Sequence, residues 1–227
     1  MKDFAEFLEK NQEESTSVVD SINKYLESVE DDYRTPGFHI SSLWEMCPRQ
    51  EILKLSDSKS TRVLSSQERK IFKHGQAIHS MVQNLILGPA KKLVGYWYSF
   101  SIGKAYFGLQ RSMEDEYQEP KISLSVDGTS DSPEWRIVGA CDGILVDPRI
   151  LEIKSCGSST LSTIDKAYEL VKSLEDNYNS PGEDVIAYTD ETAKKHSAQV
   201  RIYTEAFDEL GIKNLKDPEI LYWGKEK

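Results

Sequence analysis

Trp135-Arg-Ile-Val-Gly-Ala-Cys-Asp142 runs into Gly143-Ile-Leu-Val146, turns at Asp147-Pro148-Arg149, and returns as Ile150-Leu-Glu152-Ile-Lys154-Ser155. Two β-prone runs around a Pro-containing turn predict a hairpin. It puts Asp142 on one strand and Glu152 and Lys154 on the next. Strand side chains alternate between faces, so Glu152 and Lys154 share one face and Asp142 can converge on it. Leu151 and Ile153 flank the charged pair, which predicts a mostly buried strand. A Glu and a Lys buried without partners are costly, so a site that uses them explains them better than a solvated face does. The bland alternative is an ordinary cross-strand charge pair beside an unrelated Asp.

The segments around the hairpin extend the pattern. Val94, Tyr96, Tyr98 and Phe100 alternate, as do Ile122, Leu124 and Val126, which predicts further strands. Upstream, Ser65-Ser66-Gln67-Glu68 has the form of a helix start, and the helix should run to about Leu87 and end at Gly88-Pro89. It carries Gly75 and His79 on one face, where Gly75 would let a neighbouring backbone approach closely. Downstream, residues 160–176 read as helix, Asn177 to Gly182 as a turn-rich break, and about 190–210 as a long helix stopped by Gly211. Ala198, Ile202, Ala206 and Leu210 mark one apolar face of that helix, and Gln199 and Tyr203 lie four apart on it. Glu219 to Trp223 reads as a final strand.

The beginning of the chain is different. Residues 4–13 and 17–30 read as short amphipathic helices, the second capped by Ser15 or Thr16, and Thr35-Pro36-Gly37 breaks the chain. Phe38 to Trp44 leads into Glu45-Met-Cys-Pro-Arg49 and a helix to about Leu55, with 56–65 loop-like. The expected fold class is therefore α/β: a central mixed β-sheet flanked by helices over residues 37–227, preceded by an acidic helical appendage over residues 1–36.

Charge sharpens that division. The formal net charge is −10, of which residues 1–33 carry −7. The body is close to neutral, so a local basic groove remains compatible with nucleic-acid binding. The acidic appendage suits a protein partner or mimicry of DNA. The three cysteines, Cys47, Cys141 and Cys156, are too few and too widely spaced for a disulfide framework or a CxxC zinc site. No run of about 18 apolar residues predicts a membrane span, and acidic residues occupy the place of a signal peptide's apolar stretch, so a cytoplasmic location is expected.

The candidate site residues have a common chemistry. Asp142 and Glu152, with the Ile153 carbonyl between Glu152 and Lys154, offer oxygen ligands suited to Mg²⁺ or Mn²⁺. Lys154 can orient an attacking water or stabilise charge on a phosphate. His79 can reach the metal or the phosphate. A His/Asp/Glu zinc site is the alternative, and a partly buried, hydrogen-bonded His is the ordinary fate of such a residue. His39, His74 and His196 lack a comparable context. Gln199 and Tyr203 can hydrogen-bond a phosphate or orient the other groups, or can simply border an amphipathic helix. Lys194, Lys195 and Arg201 add basic character there, as do Arg62, Arg69, Lys70 and Lys73 before His79.

Taken in order, Gly75-Gln-Ala-Ile-His79, Gly139-Ala-Cys-Asp142, Glu152-Ile-Lys154 and Gln199-Val-Arg-Ile-Tyr203 resemble the motifs of the RecB-type branch of the PD-(D/E)XK nuclease superfamily. Ile40-Ser-Ser-Leu and Cys47-Pro-Arg49 are similar to that branch's opening segment, and the resemblance covers about residues 38–224. It implies a restriction-endonuclease-like core, with His79, Asp142, Glu152 and the Ile153 carbonyl as metal ligands. It implies Lys154 as the catalytic lysine, with Asp142 and Glu152 as catalytic carboxylates and Gln199 and Tyr203 as accessory residues. Many relatives hold an iron–sulfur cluster on four cysteines. With three, one of them inside the GxxD motif, no such cluster is expected here.

What the resemblance implies for function is a Mg²⁺- or Mn²⁺-dependent phosphodiesterase acting on DNA, foremost an exonuclease of repair, recombination or phage replication. The compact size and the ending Leu221-Tyr-Trp-Gly-Lys225 look similar to phage-encoded members, which would work in the host cytoplasm. An endonuclease or RNA-directed nuclease on the same site, or a non-catalytic scaffold of the same fold, are the alternatives.

Overall fold

The structure is a computed structural model, and it describes residues 17–28, 37–44, 47, 64–125, 136–166, 169 and 191–225. The expected helix at 4–13, the segment 45–55 apart from Cys47, the break at Thr35-Pro36 and the turn-rich stretch at 177–182 lie outside the described residues. The chain divides into two compact units, one of residues 1–34 and 61–74 and one of residues 35–60 and 75–227. Among the described residues, no helix is long and apolar enough to cross a membrane.

In the first unit, α1 (Val18–Ser28) forms where the apolar spacing predicts it. Its cap is Ser17, one residue beyond the two expected: the Ser17 hydroxyl accepts the Asp20 N–H at 3.1 Å and donates to the Asp20 carboxylate at 2.9 Å. The short α2 (Ile40–Leu43) belongs to the second unit. The start of α3 (Ser66–Ser80) closes a capping box, because Glu68 N–H donates to Ser65 Oγ at 3.2 Å and Ser65 N–H donates back to the Glu68 carboxylate at 2.9 Å.

The second unit is α/β with mixed sheets flanked by helices. Two sheets stand where one central sheet was expected. In the smaller, β1 (Phe38–His39) lies parallel to β6 (Arg136–Ala140), which pairs antiparallel with β5 (Lys121–Ser125). The larger runs in the order β3 (Lys104–Leu109), β2 (Leu93–Ser99), β7 (Gly143–Leu145), β8 (Arg149–Gly157), β9 (Lys216–Lys225), with β4 (Asp115–Gln118) also paired to β2. β8 and β9 are parallel and the other pairs of this sheet antiparallel.

The run from Trp135 to Val146 is thus two strands rather than one. It breaks at Cys141-Asp142, where the chain leaves the smaller sheet for the larger. Asp142 therefore sits in a bend between strands, not on the first arm of the hairpin. Gly143 makes the crossing possible, since a Cβ there would lie 2.4 Å from Leu93 Cδ1.

Two apolar clusters fix the second unit. Ile78 and Val82 bury against Leu93, Trp97, Leu151 and Ile153. Ile150, Ile122, Cys141 and Ile40 bury against Tyr203, Ala206 and Phe207 of α4 (Glu191–Glu209). Alternate residues of β8 thus feed opposite clusters, so the strand is covered on both sides, as its apolar flanks predict. Following α3, Met81–Leu87 is π-helical, with Gly88 N–H donating to the Gln83 carbonyl at 2.9 Å. Residues 158–166 are helical. α4 ends as expected, with Gly211 at φ +89° and Ile212 N–H donating to the Phe207 carbonyl at 2.9 Å. Its buried face is rotated from the expected one. It comprises Ala193, Gln199, Val200, Tyr203, Ala206 and Phe207, while Leu210 is exposed. The expected polar border is the middle of the buried face.

Candidate metal centre

β8 delivers Glu152 and Lys154 to the face beneath α4. Lys154 Nζ donates to Glu152 Oε1 at 2.7 Å and to Gln199 Oε1 at 3.0 Å, and Gln199 Nε2 donates to the same Glu152 oxygen at 2.7 Å. The three side chains close a ring that leaves Glu152 Oε2 out. That oxygen is buried and has no hydrogen-bond partner among the described residues, in a residue only 4% exposed. Leaving a carboxylate oxygen bare in the interior costs several kcal/mol unless something positive meets it, to order of magnitude.

Asp142 joins the site from the bend between the sheets. The Ile153 N–H donates to its Oδ2, and its Oδ1 lies 3.0 Å from His79 Nδ1. Ile153 thus brings its main chain to the cluster while its side chain is fully buried on the other face. The bend is held by Tyr203, whose hydroxyl donates to the Ala140 carbonyl at 2.6 Å. Gly139 is what lets that ring in: a Cβ there would lie 3.1 Å from Tyr203 Cε1 and 3.2 Å from Ile40 Cδ1. Tyr203 is therefore an anchor for the Asp142 bend, with its hydroxyl committed to the main chain, and it does not offer itself to a phosphate. Among the described residues, a Cβ at Gly75 would meet Ser155 Oγ at an ordinary 3.5 Å, and no close approach of the expected kind is found there.

Two residues of the site, Glu119 and Gln83, are not among those the sequence motifs single out. Glu119, in the link between β4 and β5, places a carboxylate oxygen within 4.8 Å of ligand atoms of both His79 and Asp142. Gln83, one turn after His79 and buried, donates from Nε2 to Glu119 Oε1 at 3.1 Å and to the Asp142 carbonyl at 2.8 Å. A buried Gln in the apolar stretch Met81–Leu87, four residues after His79, was the available hint.

The electrostatics follow from crowding. Asp142 and Lys154 act on Glu152 with opposite signs, and Asp142 opposes His79 and Lys121 at Glu119. Desolvation, reinforced by the Asp142 charge and only partly offset by Lys154, pushes Glu152 up to about 7. Desolvation also raises Glu119, against the opposing effect of the Gln83 amide. Burial alone would lower His79, but the hydrogen bond and charge of Asp142, with Glu119 and Glu152 behind it, raise it above the ordinary imidazole value. The Cys141 thiol is pushed up by burial and by the neighbouring Glu152 and Asp142 charges, so it is no thiolate ligand.

The ligand atoms that lie within 4.8 Å of one another are those of His79, Glu119 and Asp142, two carboxylates and an imidazole that fit a hard divalent cation, and Glu152 adjoins them closely enough to feel the charges of Asp142 and His79. Of the other histidines, His196 Nδ1 lies 3.1 Å from the Tyr222 hydroxyl, beside the site on α4 and β9. No family model, no curated protein and no solved structure matches this chain.

Proposed function

We propose that this protein is a metal-dependent nuclease of the PD-(D/E)XK type, built as the RecB-type motifs imply, and that it hydrolyses phosphodiester bonds of DNA. The observation that carries this reading is the buried Glu152 carboxylate. One oxygen holds Lys154 and Gln199, and the other has no hydrogen-bond partner among the described residues, in a carboxylate that burial and the Asp142 charge push up against the opposing effect of Lys154. A structural ion pair has no need of such an arrangement. A cation site beside a lysine does.

The residues divide the work. Asp142, Glu152 and His79, with the Ile153 carbonyl, would hold Mg²⁺ or Mn²⁺, and Glu119 joins them. Bound there, the cation supplies Lewis-acid polarisation of a phosphoryl oxygen and acidifies water. Lys154 has three N–H donors, and Glu152 and Gln199 take two of them. The third has no partner among the described residues and would align an attacking water or meet the developing charge on phosphate. Gln199 fixes both partners of that lysine and so acts as a positioning residue. Tyr203 holds the main chain that presents Asp142. Removal of nucleotides from DNA ends is the leading form of the activity.

The test is cleavage of end-labelled linear single- and double-stranded DNA and of closed circles, with Mg²⁺ or Mn²⁺, by wild type, Glu152→Ala and Lys154→Ala. Metal-dependent loss of linear DNA by wild type alone is expected. Cutting of closed circles would reassign the activity to an endonuclease. Absence of cleavage by a folded protein with either metal would defeat the nuclease reading.

A further inference from the structure

The outer face of the β2–β3 hairpin is an unusual surface to leave in water. Tyr96 and Phe107 are cross-strand partners whose rings meet edge to face at 5.4 Å, and they are 53% and 63% exposed. Tyr98 and Phe100 form a second edge-to-face pair at 5.1 Å. Sheet alternation explains why these rings point away from the core, because Trp97, between Tyr96 and Tyr98, is fully buried. It does not explain why the outward positions are aromatic. Solvated strand faces ordinarily carry polar side chains, and contiguous exposed apolar surface marks a binding site.

This face opens into a groove of about 850 Å³. Tyr96 and Phe107 line it together with Phe207, Leu210 and Ile212. Glu119 and Lys121 also line it. Glu119 belongs to the cluster with His79 and Asp142, so the groove and the candidate metal centre share a residue. Glu116 is the cross-strand partner of Tyr98, and Lys121 is the basic group among the lining residues, two positions from the Glu119 that the groove shares with the candidate metal centre.

We infer that this groove binds an unpaired strand of DNA, whose bases stack on Tyr96 and Phe107 while its backbone passes Lys121 toward the metal centre. The inference rests on the nuclease reading and names its substrate form: a single strand, or an end whose strands have separated. The chemistry is that of sequence-tolerant single-strand binding. Every base has a π-face for an aromatic ring, and one lysine near the phosphates supplies charge without sequence readout. A duplex keeps its bases stacked on each other and gains nothing from these rings. The near-neutral body of the protein makes the rings more important, since few phosphate contacts are available to supply affinity instead.

The experiment measures binding apart from cleavage. Fluorescence anisotropy with labelled oligo-dT and with a blunt duplex is recorded in EDTA for wild type, Tyr96→Leu, Phe107→Leu and Phe107→Trp. The leucines keep apolar bulk at exposed positions and remove the π-face, so the fold survives, and melting curves verify it. Each leucine variant should bind oligo-dT roughly 5- to 100-fold more weakly, the equivalent of losing one stacked base, and the ratio of single-strand to duplex affinity should fall with it. Phe107→Trp should restore it. Unchanged oligo-dT binding in both leucine variants overturns the inference, as does failure of wild type to bind oligo-dT at all. Tighter binding of oligo-U than of oligo-dT overturns the choice of DNA. A wild-type dimer in sedimentation that the leucines dissociate would show that the face is covered by a second copy instead. Cleavage without dependence on these rings would sink this inference alone. Ring-dependent binding without cleavage would sink the nuclease reading and leave the surface standing.

Discussion

The Tyr203 hydroxyl donates to the Ala140 carbonyl at 2.6 Å, two residues before Asp142. A helix side chain thereby fixes the bend at which the chain passes from one sheet to the other. Tyr203→Phe keeps the ring and removes the donor. It leaves a carbonyl beside buried Cys141 without that partner, at a cost of about 1–3 kcal/mol. For a chain of this length that is a fall in Tm of roughly 3–10 °C. Gly139→Ala should cost a similar amount for the opposite reason, since its Cβ must displace Tyr203 or Ile40. Both variants should also bind Mg²⁺ more weakly, because Asp142 loses its fixed position while every ligand remains. Thermal melts with and without Mg²⁺ check this. An unchanged Tm in Tyr203→Phe would mean the hydroxyl does not anchor the bend.

Charge crowding at Glu152 makes a second prediction whose sign differs from that of an ordinary core substitution. In the metal-free protein, Glu152 and Asp142 repel each other in a poorly solvated place. Glu152→Gln retains an oxygen to accept from Lys154 and Gln199, and removes that repulsion. Its Tm in EDTA should equal or exceed that of wild type. Mg²⁺ or Mn²⁺ at a hundredfold excess over Kd should stabilise wild type by about 2.7 kcal/mol, raising Tm by roughly 5–10 °C. Glu152→Gln should show almost none of that rise. A full metal-induced rise in this variant would remove Glu152 from the ligand set.

Much of this site was legible because its residues sit on regular elements. Period two placed Glu152 and Lys154 together, the capping box at Ser65 and Glu68 started the helix that carries His79, and Gly211 closed the helix that carries Gln199 and Tyr203. What stayed hidden depends on tertiary position. Glu119 lies in the link between two strands of different sheets, and only the way those sheets meet brings it to His79. The break at Asp142 was obscured because Trp135 to Val146 reads as one β-prone run. Which strand it pairs with changes midway, and local preference does not report that. The face of α4 was misjudged because Gln199 is polar. It is buried because Lys154 and Glu152 satisfy its amide.

Asp115 supplies a prediction about acid stability away from the candidate metal centre. It begins β4, is 3% exposed, and gathers donors from one turn. Ser112 N–H donates to it at 2.7 Å and Arg111 N–H at 3.1 Å, and the Tyr106 hydroxyl donates to the same oxygen. Burial works against the charge, but these donors, with Ser99, outweigh it and hold the carboxyl below its ordinary value. The unfolded chain, with an Asp pKa of about 3.9, therefore takes up the proton more readily than the native state does. The stabilisation is complete above that value and is lost as pH falls through the lower native pKa. Asp115→Asn cannot accept from all of these donors and turns an NH₂ toward them, so it should be clearly less stable than wild type at pH 6. The gap should narrow below about pH 4, as wild type loses its advantage and the variant, with no proton to bind there, does not. Urea unfolding midpoints at the two pH values measure it. A gap of the same size at both would mean that Asp115 contributes through packing and neutral hydrogen bonds rather than through its charge.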